Sequence, residues 1–491
     1  MAGKLSPAAF INKPIKFGTD GWRGLIAADF TYERVALVAP LAAIALQKTY
    51  DTGTDGRTVI VGYDRRFMSE DFARVAAESI QAAGFDVLLS DSYAPTPAFS
   101  LAAKHQNALG AVVVTASHNP GGYSGLKVKG GFGGSVPPEV TKKIEAFLED
   151  PDFEIPAASP GSLTLFDPWA DYCSTLQSMV DIGAIKEAIA SGTLTVFADV
   201  MHGAAASGFE KILGIPIQEI NGDRDPLFEG GAPEPLPRYL GKLMNQVKTY
   251  LSDELKVGIV FDGDSDRVAA TDRDGHFLNS QVLIPILIEH LSVRRGYTGE
   301  VVKTISGSNL FPKVAALYNL PVHQTPIGYK YIADRMLASS VLLGGEESGG
   351  IGYGHHIPER DALLSALYVL EAVVQSGKDL SELYRDLQER TGYTSHYDRI
   401  DLPLASMDVR SRLLTELESN TPQEVAGQAV TDCLTIDGYK FQLADESWLL
   451  IRFSGTEPVL RLYSEAKTPE DVQRNLQWAN DWATSVQQSR A

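Results

Sequence analysis

Four times along this chain a short apolar run stops abruptly in a polar, glycine-rich loop, and that pattern restricts the fold more than any other feature. GAVVV (110–114) leads into TASHNP, KVGIVF (256–261) into DGDSDR, SVLLGG (340–345) into EESGG, and WLLI (448–451) into RFSGTEP. Runs that are apolar at successive rather than alternate positions suit strands covered on both faces, as in a parallel sheet. Amphipathic helices lie between them. Ser69 is expected to cap one whose stripe is Phe72, Val75, Ala76, Ile80 and Ala83, with Gly84 as its stop. Thr468 and Asp471 form a capping-box-like start around Pro469 for another, lined by Val472, Leu476, Ala479, Ala483 and Val486. Strand–helix alternation of this kind defines an α/β protein. In open α/β sheets ligands gather beyond the carboxyl ends of the strands, so the four loops are where chemistry is expected.

A chain of 491 residues corresponds to three or four domains at roughly 150 residues each. The proline- and turn-rich stretch 150–162 reads as a linker, and further breaks fall near 272–275 and 392–403. The strand-then-loop unit recurs about every hundred residues. This predicts three similar α/β units and a different final one, with boundaries at 1–155, 163–272, 273–391 and 392–491.

Lysine plus arginine number 43 against 62 acids, a net charge of −19. Such a surface repels phosphate backbones and anionic lipid, so neither nucleic acid nor a membrane is an expected partner. Two cysteines 260 positions apart, Cys173 and Cys433, make no disulfide framework. The first residues lack the apolar core of a signal peptide. The longest candidate span, Leu37 to Leu46, contains Pro40 and is about half the length of a membrane crossing. A cytoplasmic location is expected.

DGDSDR sets Asp262, Asp264 and Asp266 at alternate positions, which in extended chain face one side. Three carboxylates so placed repel unless a cation sits among them, and Mg²⁺ is the usual choice where a phosphate completes the shell. A calcium EF-hand requires Gly at the sixth and Glu at the twelfth position, where this chain has Arg267 and Arg273. An acidic surface turn explains the same letters less well, because it needs no buried strand before it. TASHNP offers Ser117 beside His118, but the GxSxG elbow of an α/β-hydrolase is absent. Lys127 and Lys129 add positive charge that phosphoryl transfer uses and acyl transfer does not.

GTDGWRG (18–24) and RFSGTEP resemble loops that turn backbone N–H groups toward an anion. Arg452, Ser454, Gly455 and Thr456 lie within five residues of one another, with Arg461 following on the next strand. An ordinary turn with a surface arginine is the plain alternative. With neither a Walker loop nor GxGxxG present, the ligand reads as a smaller phosphorylated molecule. Glu346 and Ser348 pair a carboxylate with a hydroxyl, the equipment for gripping sugar hydroxyls; a solvated acidic turn fits equally well. His355 and His356 are adjacent and so point apart, which makes a zinc site a poor reading.

In order and spacing, GTDGWRG, TASHNP, DGDSDR, GEESGG and RFSGTEP together resemble the α-D-phosphohexomutases, within them the phosphoglucomutase/phosphomannomutase group, from about residue 16 to 465. That resemblance implies three related α/β domains and a smaller C-terminal α+β domain around one cleft. It implies that Ser117 carries the transferred phosphate, that Asp262, Asp264 and Asp266 hold one Mg²⁺ with it, and that Glu346 and Ser348 bind the sugar. Arg452, Ser454, Gly455 and Thr456 would hold the non-reacting phosphate, with Arg461 beside them. Arg23, His118, Lys127, Arg267 and Lys330 match cleft-lining positions. The implied reaction interconverts glucose 1- and 6-phosphate through glucose 1,6-bisphosphate, with some phosphomannomutase activity, in a monomer or homodimer. The alternatives are phosphomannomutase as the main activity, and behind it a metal-dependent sugar phosphatase or a non-catalytic sugar-phosphate sensor. One departure stands out. Some relatives carry a histidine after the sugar-binding SG, where this chain has Gly350. Acid–base work then falls to Lys127 and Arg23, with His356 a weak substitute.

Overall fold

Each of the apolar runs forms a strand. Gly110–Val114, Leu255–Phe261, Val341–Gly345 and Trp448–Phe453 are buried over most or all of their length. The computed structural model describes residues 14–488 except Thr19, 51–55, Ala157 and 455–457, so Gly455 and Thr456 lie outside the described residues.

The first three sheets repeat one plan. Taking the four core strands of each in chain order, they lie side by side as second, first, third, fourth. In the first sheet these are Thr58–Tyr63, Asp86–Ser90, Gly110–Val114 and Tyr123–Gly130. The second uses Leu194–Asp199, Gln218–Ile220, Leu255–Phe261 and Val268–Thr271. The third uses Glu300–Thr304, Val322–Thr325, Val341–Gly345 and Ile351–Tyr353. In all three the first three strands are parallel and the fourth runs antiparallel to the third. The turn from third to fourth strand is therefore the same place in each unit. It holds TASHNP in the first, DGDSDR in the second and EESGG in the third. The fourth sheet is antiparallel, six-stranded, and backed by helices Met407–Ser419 and Pro469–Gln488.

Two elements lie across the expected boundaries. Strand Leu163–Phe166, placed at the start of the second unit, pairs in parallel with Asp86–Ser90 as the outermost strand of the first sheet. The 272–275 break is a hairpin turn, because Asp272 accepts from the amides of Asp274 and His276. Strand Phe277–Leu278 beyond it still belongs to the second sheet. Ser69 is the first helical residue rather than a cap, and its hydroxyl donates to Asp64. Thr468 does cap, accepting from the Asp471 amide and donating to its carboxylate. The apolar stretch 37–46 belongs to helix Tyr32–Tyr50, whose buried face packs in the core of the first unit. Among the described residues no helix is long and apolar enough to cross a membrane.

One continuous apolar core runs through the first three units, including Phe99, Trp169, Phe261, Leu287 and Leu367. The fourth has its own core and meets the third through a small cluster of Ile305, Trp448, Leu450 and Tyr463.

Candidate active site

Ser117 sits at the end of the buried strand Gly110–Val114, 1% exposed, with a left-handed backbone (φ 52°) that non-glycine residues adopt only when their surroundings impose it. The imposing group is Arg66. Its fully buried guanidinium donates to four carbonyls of the serine loop: Ser117 (2.5 Å), Asn119 (2.6 Å), Pro120 (3.0 Å) and Tyr123 (3.1 Å). Asp64 lies 3.3 Å from its Nε. The Ser117 amide is held by Thr115 Oγ1 at 2.9 Å. From the second unit, Gly263 presses against the Ser117 carbonyl, where a Cβ would come within 2.4 Å; only glycine fits.

Ser117 Oγ donates to Asp262 Oδ2 at 2.8 Å and lies 3.3 Å from His118 Nδ1. Asp262, Asp264 and Asp266 are all fully buried, with one carboxylate oxygen of each within 4.8 Å of the others. Burial, with Asp266 and Asp264 beside it, pushes the Asp262 carboxyl well above its ordinary range. Lys127 Nζ binds one oxygen of Asp264 (2.7 Å) and one of Asp266 (2.8 Å). The Oδ1 atoms of both aspartates are buried without a hydrogen-bond partner. Buried carboxylate oxygens rarely stay unpartnered. A hard cation accepts such a donor set, so these residues fit a divalent metal.

Three residues missed in the sequence complete the cluster. Asp20 accepts from Lys127 (2.7 Å), Lys129 (3.3 Å) and Arg360 (2.7 Å). Arg360 also binds Asp266 at 2.6 Å and lies 3.8 Å from Glu346. Thr96 donates to Asp264 at 2.6 Å. Burial alone would lower the Lys127 ammonium, but Asp20, Asp264 and Asp266 outweigh it and hold it above its ordinary value. Lys127 is thus held charged, clamped between Asp20, Asp264 and Asp266. His118 is driven the other way, far below its usual value, by burial and by Arg267 and Arg23. Its ring is neutral.

The remaining expected residues sit as follows. Arg23 donates to Asn119 Oδ1 at 2.5 Å, and Arg267 Nε lies 4.0 Å from Asp266. Glu346 is buried and accepts from the Gly328 amide at 3.1 Å, while Ser348 is half-buried beside it. Lys330 packs over Tyr331, and Arg461 stands 4.0 Å from Asp401. Arg452 is paired with Asp437 at 3.0 Å, and Arg410 holds the Ser454 carbonyl at 2.9 Å. His355 bonds Tyr368 and His356 bonds Asp361, so each histidine has its own partner.

Comparison with known proteins identifies the family of the whole chain. Family models for phosphoglucomutase/phosphomannomutase α/β/α domains I, II and III match residues 14–154, 170–275 and 279–391, and the C-terminal-domain model matches 412–477. A probable phosphoglucosamine mutase of Methanothermobacter thermautotrophicus is 31% identical over 93% of this chain and 95% of its own. A phosphoglucomutase/phosphomannomutase of Thermococcus kodakarensis is 29% identical over 94% and 96%. The crystal structure of a putative phosphomannomutase from Thermus thermophilus superposes with a TM-score of 0.82 at 32% identity, covering 96% of this chain and all of that one. The chain belongs to the phosphoglucomutase/phosphomannomutase family of α-D-phosphohexomutases. It is a mutase, an enzyme of the isomerase class.

Proposed function

We propose that the protein interconverts glucose 1-phosphate and glucose 6-phosphate through a phosphoserine at Ser117 and a bound glucose 1,6-bisphosphate, with secondary activity on mannose phosphates. The observation that carries this reading is Ser117 Oγ at 2.8 Å from Asp262, beside two unpartnered buried carboxylate oxygens. Asp262, Asp264, Asp266 and the serine phosphate would hold Mg²⁺, which neutralises charge on the transferring group.

The phosphoryl group leaves Ser117 Oγ for the free 1- or 6-hydroxyl of the sugar. One P–O bond breaks as another forms, and the hydroxyl proton passes to an acceptor in the cleft. The bisphosphate then turns over, its other phosphoryl group returns to Ser117 Oγ, and the isomerised monophosphate departs. Lys127 and Arg360 neutralise charge around Asp266 while Arg66 keeps the serine fixed, so beyond the covalent phosphoserine the chain contributes position and field. Glu346 and Ser348 would grip the 3- and 4-hydroxyls, which overlap in the two poses. Arg452 and Ser454, with Gly455 and Thr456, would take the phosphate that is not reacting.

Glucosamine phosphate is the second reading, favoured by the names of several relatives, among them the one 31% identical. Its 2-ammonium needs a carboxylate, and Asp20, Asp264, Asp266 and Glu346 already face Lys127 or Arg360. A neutral hydroxyl sugar suits such a cleft better. The test compares kcat/KM for glucose, mannose, glucosamine and N-acetylglucosamine 1-phosphates, with intact-mass detection of one phosphate on Ser117. Glucose should lead, mannose should follow within ~10–200-fold, and the 2-substituted sugars should be poor. A glucosamine preference overturns the substrate. More than a few per cent of activity in Ser117→Ala overturns the phosphoserine.

A further inference from the structure

Two consecutive peptide groups join the fourth domain to the sugar-reading loop. The Ile327 amide donates to Asp437 Oδ2 at 3.0 Å, and the next amide, Gly328, donates to Glu346 Oε1 at 3.1 Å. The same Oδ2 of Asp437 accepts Arg452 Nε at 3.0 Å. Arg452, Asp437, two adjacent amides and Glu346 thus form one unbroken hydrogen-bonded path. It crosses from the fourth domain, where Asp437 lies in the turn between strands Gln428–Leu434 and Tyr439–Leu443, to the third. The Ile327 side chain packs against the small apolar cluster of Ile305, Trp448, Leu450 and Tyr463 that joins the two domains. The loop is therefore anchored by apolar contact as well as by hydrogen bonds.

We propose that Asp437 is a positioning residue. It fixes the plane of the Arg452 guanidinium and sets the spacing between the distal-phosphate subsite and Glu346. This rests on the phosphate and sugar roles proposed above. A bond at Nε fixes the rotation of a planar guanidinium, which decides where its terminal nitrogens point. The spacing matters because a bisphosphate bound in either pose must reach both anchors at once. An anchor misplaced by an ångström costs rate as well as affinity.

The experiment uses full-length enzyme carrying the phosphoserine, as wild type and as Asp437→Asn, Asp437→Ala, Arg452→Ala and the Asp437→Asn/Arg452→Ala double variant. Asp437→Asn keeps an oxygen for Ile327 but loses the charge facing Arg452. Its KM for glucose 1-phosphate should rise about tenfold, the weight of one charge-assisted hydrogen bond, with kcat within about twofold. Asp437→Ala also frees the loop and should lower kcat. In the Arg452→Ala background, Asp437→Asn should leave KM within about twofold, because the charge it removes acts through the bond to Arg452. Independent, multiplying effects on KM, or a kcat loss with KM unchanged in Asp437→Asn, would overturn the role. If Asp437→Ala fails to fold, Asp437→Asn and calorimetric binding of glucose 1,6-bisphosphate decide it. Equal affinity in wild type and Asp437→Asn overturns Asp437 alone. A wild type that binds no bisphosphate overturns the reading beneath it.

Discussion

Gly350 and Arg360 share one space: a Cβ on Gly350 would lie 2.3 Å from Arg360 Cδ and 3.0 Å from its Cγ. The position where some relatives carry histidine is here given to an arginine that arrives from ten residues downstream. That arginine joins Asp20, Asp266 and Glu346. Gly350→His should therefore add no imidazole to the site and should push Arg360 off its three carboxylates. The expected result is a kcat loss of at least ~30-fold, on the scale of one buried charged contact, and Gly350→Ala should show most of it. Steady-state rates of both variants check this; near-wild-type turnover of Gly350→His would show that Arg360 can move aside.

Chelation should stop turnover and Mg²⁺ should restore it. Without a cation, one buried oxygen each of Asp264 and Asp266 has no partner, because Lys127 and Arg360 bind only the other oxygens. Asp264→Asn and Asp266→Asn should each raise the Mg²⁺ concentration needed for half-maximal rate by tenfold or more, about the effect of one lost charged ligand. Full activity in metal-stripped protein would refute the assignment.

Arg66 is expected to matter as much as residues that touch substrate. Arg66→Met takes a guanidinium donor from four loop carbonyls and the positive charge from beside buried Asp64. Each such loss costs about 1–3 kcal/mol. Arg66→Lys has three donors but no planar fork, so it should recover part of the loss. The measurement is the rate at which the bisphosphate phosphorylates Ser117, followed by intact mass. An unchanged rate in Arg66→Met would mean that the left-handed serine holds itself.

A pH effect should arise at the joint between third and fourth domains. Burial pushes Lys303 down to about 8, with Glu465 acting weakly the other way. Lys440, also buried and beside Lys303, is lowered as well. An unfolded lysine titrates near ~10.4, so between about pH 8 and pH 10 the unfolded chain binds more protons than the folded one. Stability from this pair therefore rises with pH across that window and levels off beyond it. Wild type should gain on Lys303→Met between pH 8 and pH 10 in denaturant unfolding. A constant difference would show that Lys303 is not titrating there.

The three motif loops were legible because buried strands ending in polar loops leave a plain mark on the sequence. The three similar units were legible too, but not the strand order that they share, since that lies in topology rather than in local sequence. Arg66 obeys the same rule, as it follows the apolar run of Thr58–Tyr63, but a neighbouring aspartate makes DRR look like a surface turn. Arg360 carries no local mark at all. Its partner Asp20 lies 340 positions away, and no local spacing rule reaches that far. The fold brings such pairs together, and a motif search sees only their halves.

The returning strand Leu163–Phe166 alters what a cut in the chain can do. The exposed run just before it looks like a place where the first domain could be detached. Yet the residues after it are hydrogen-bonded into the first sheet, and Trp169 donates to the Tyr93 carbonyl. A nick there would leave two polypeptides still clasped together through a shared β-sheet. The same site offers new chain ends for a circular permutant, while severing the first domain cleanly would strip a strand from one piece and expose the edge it covered.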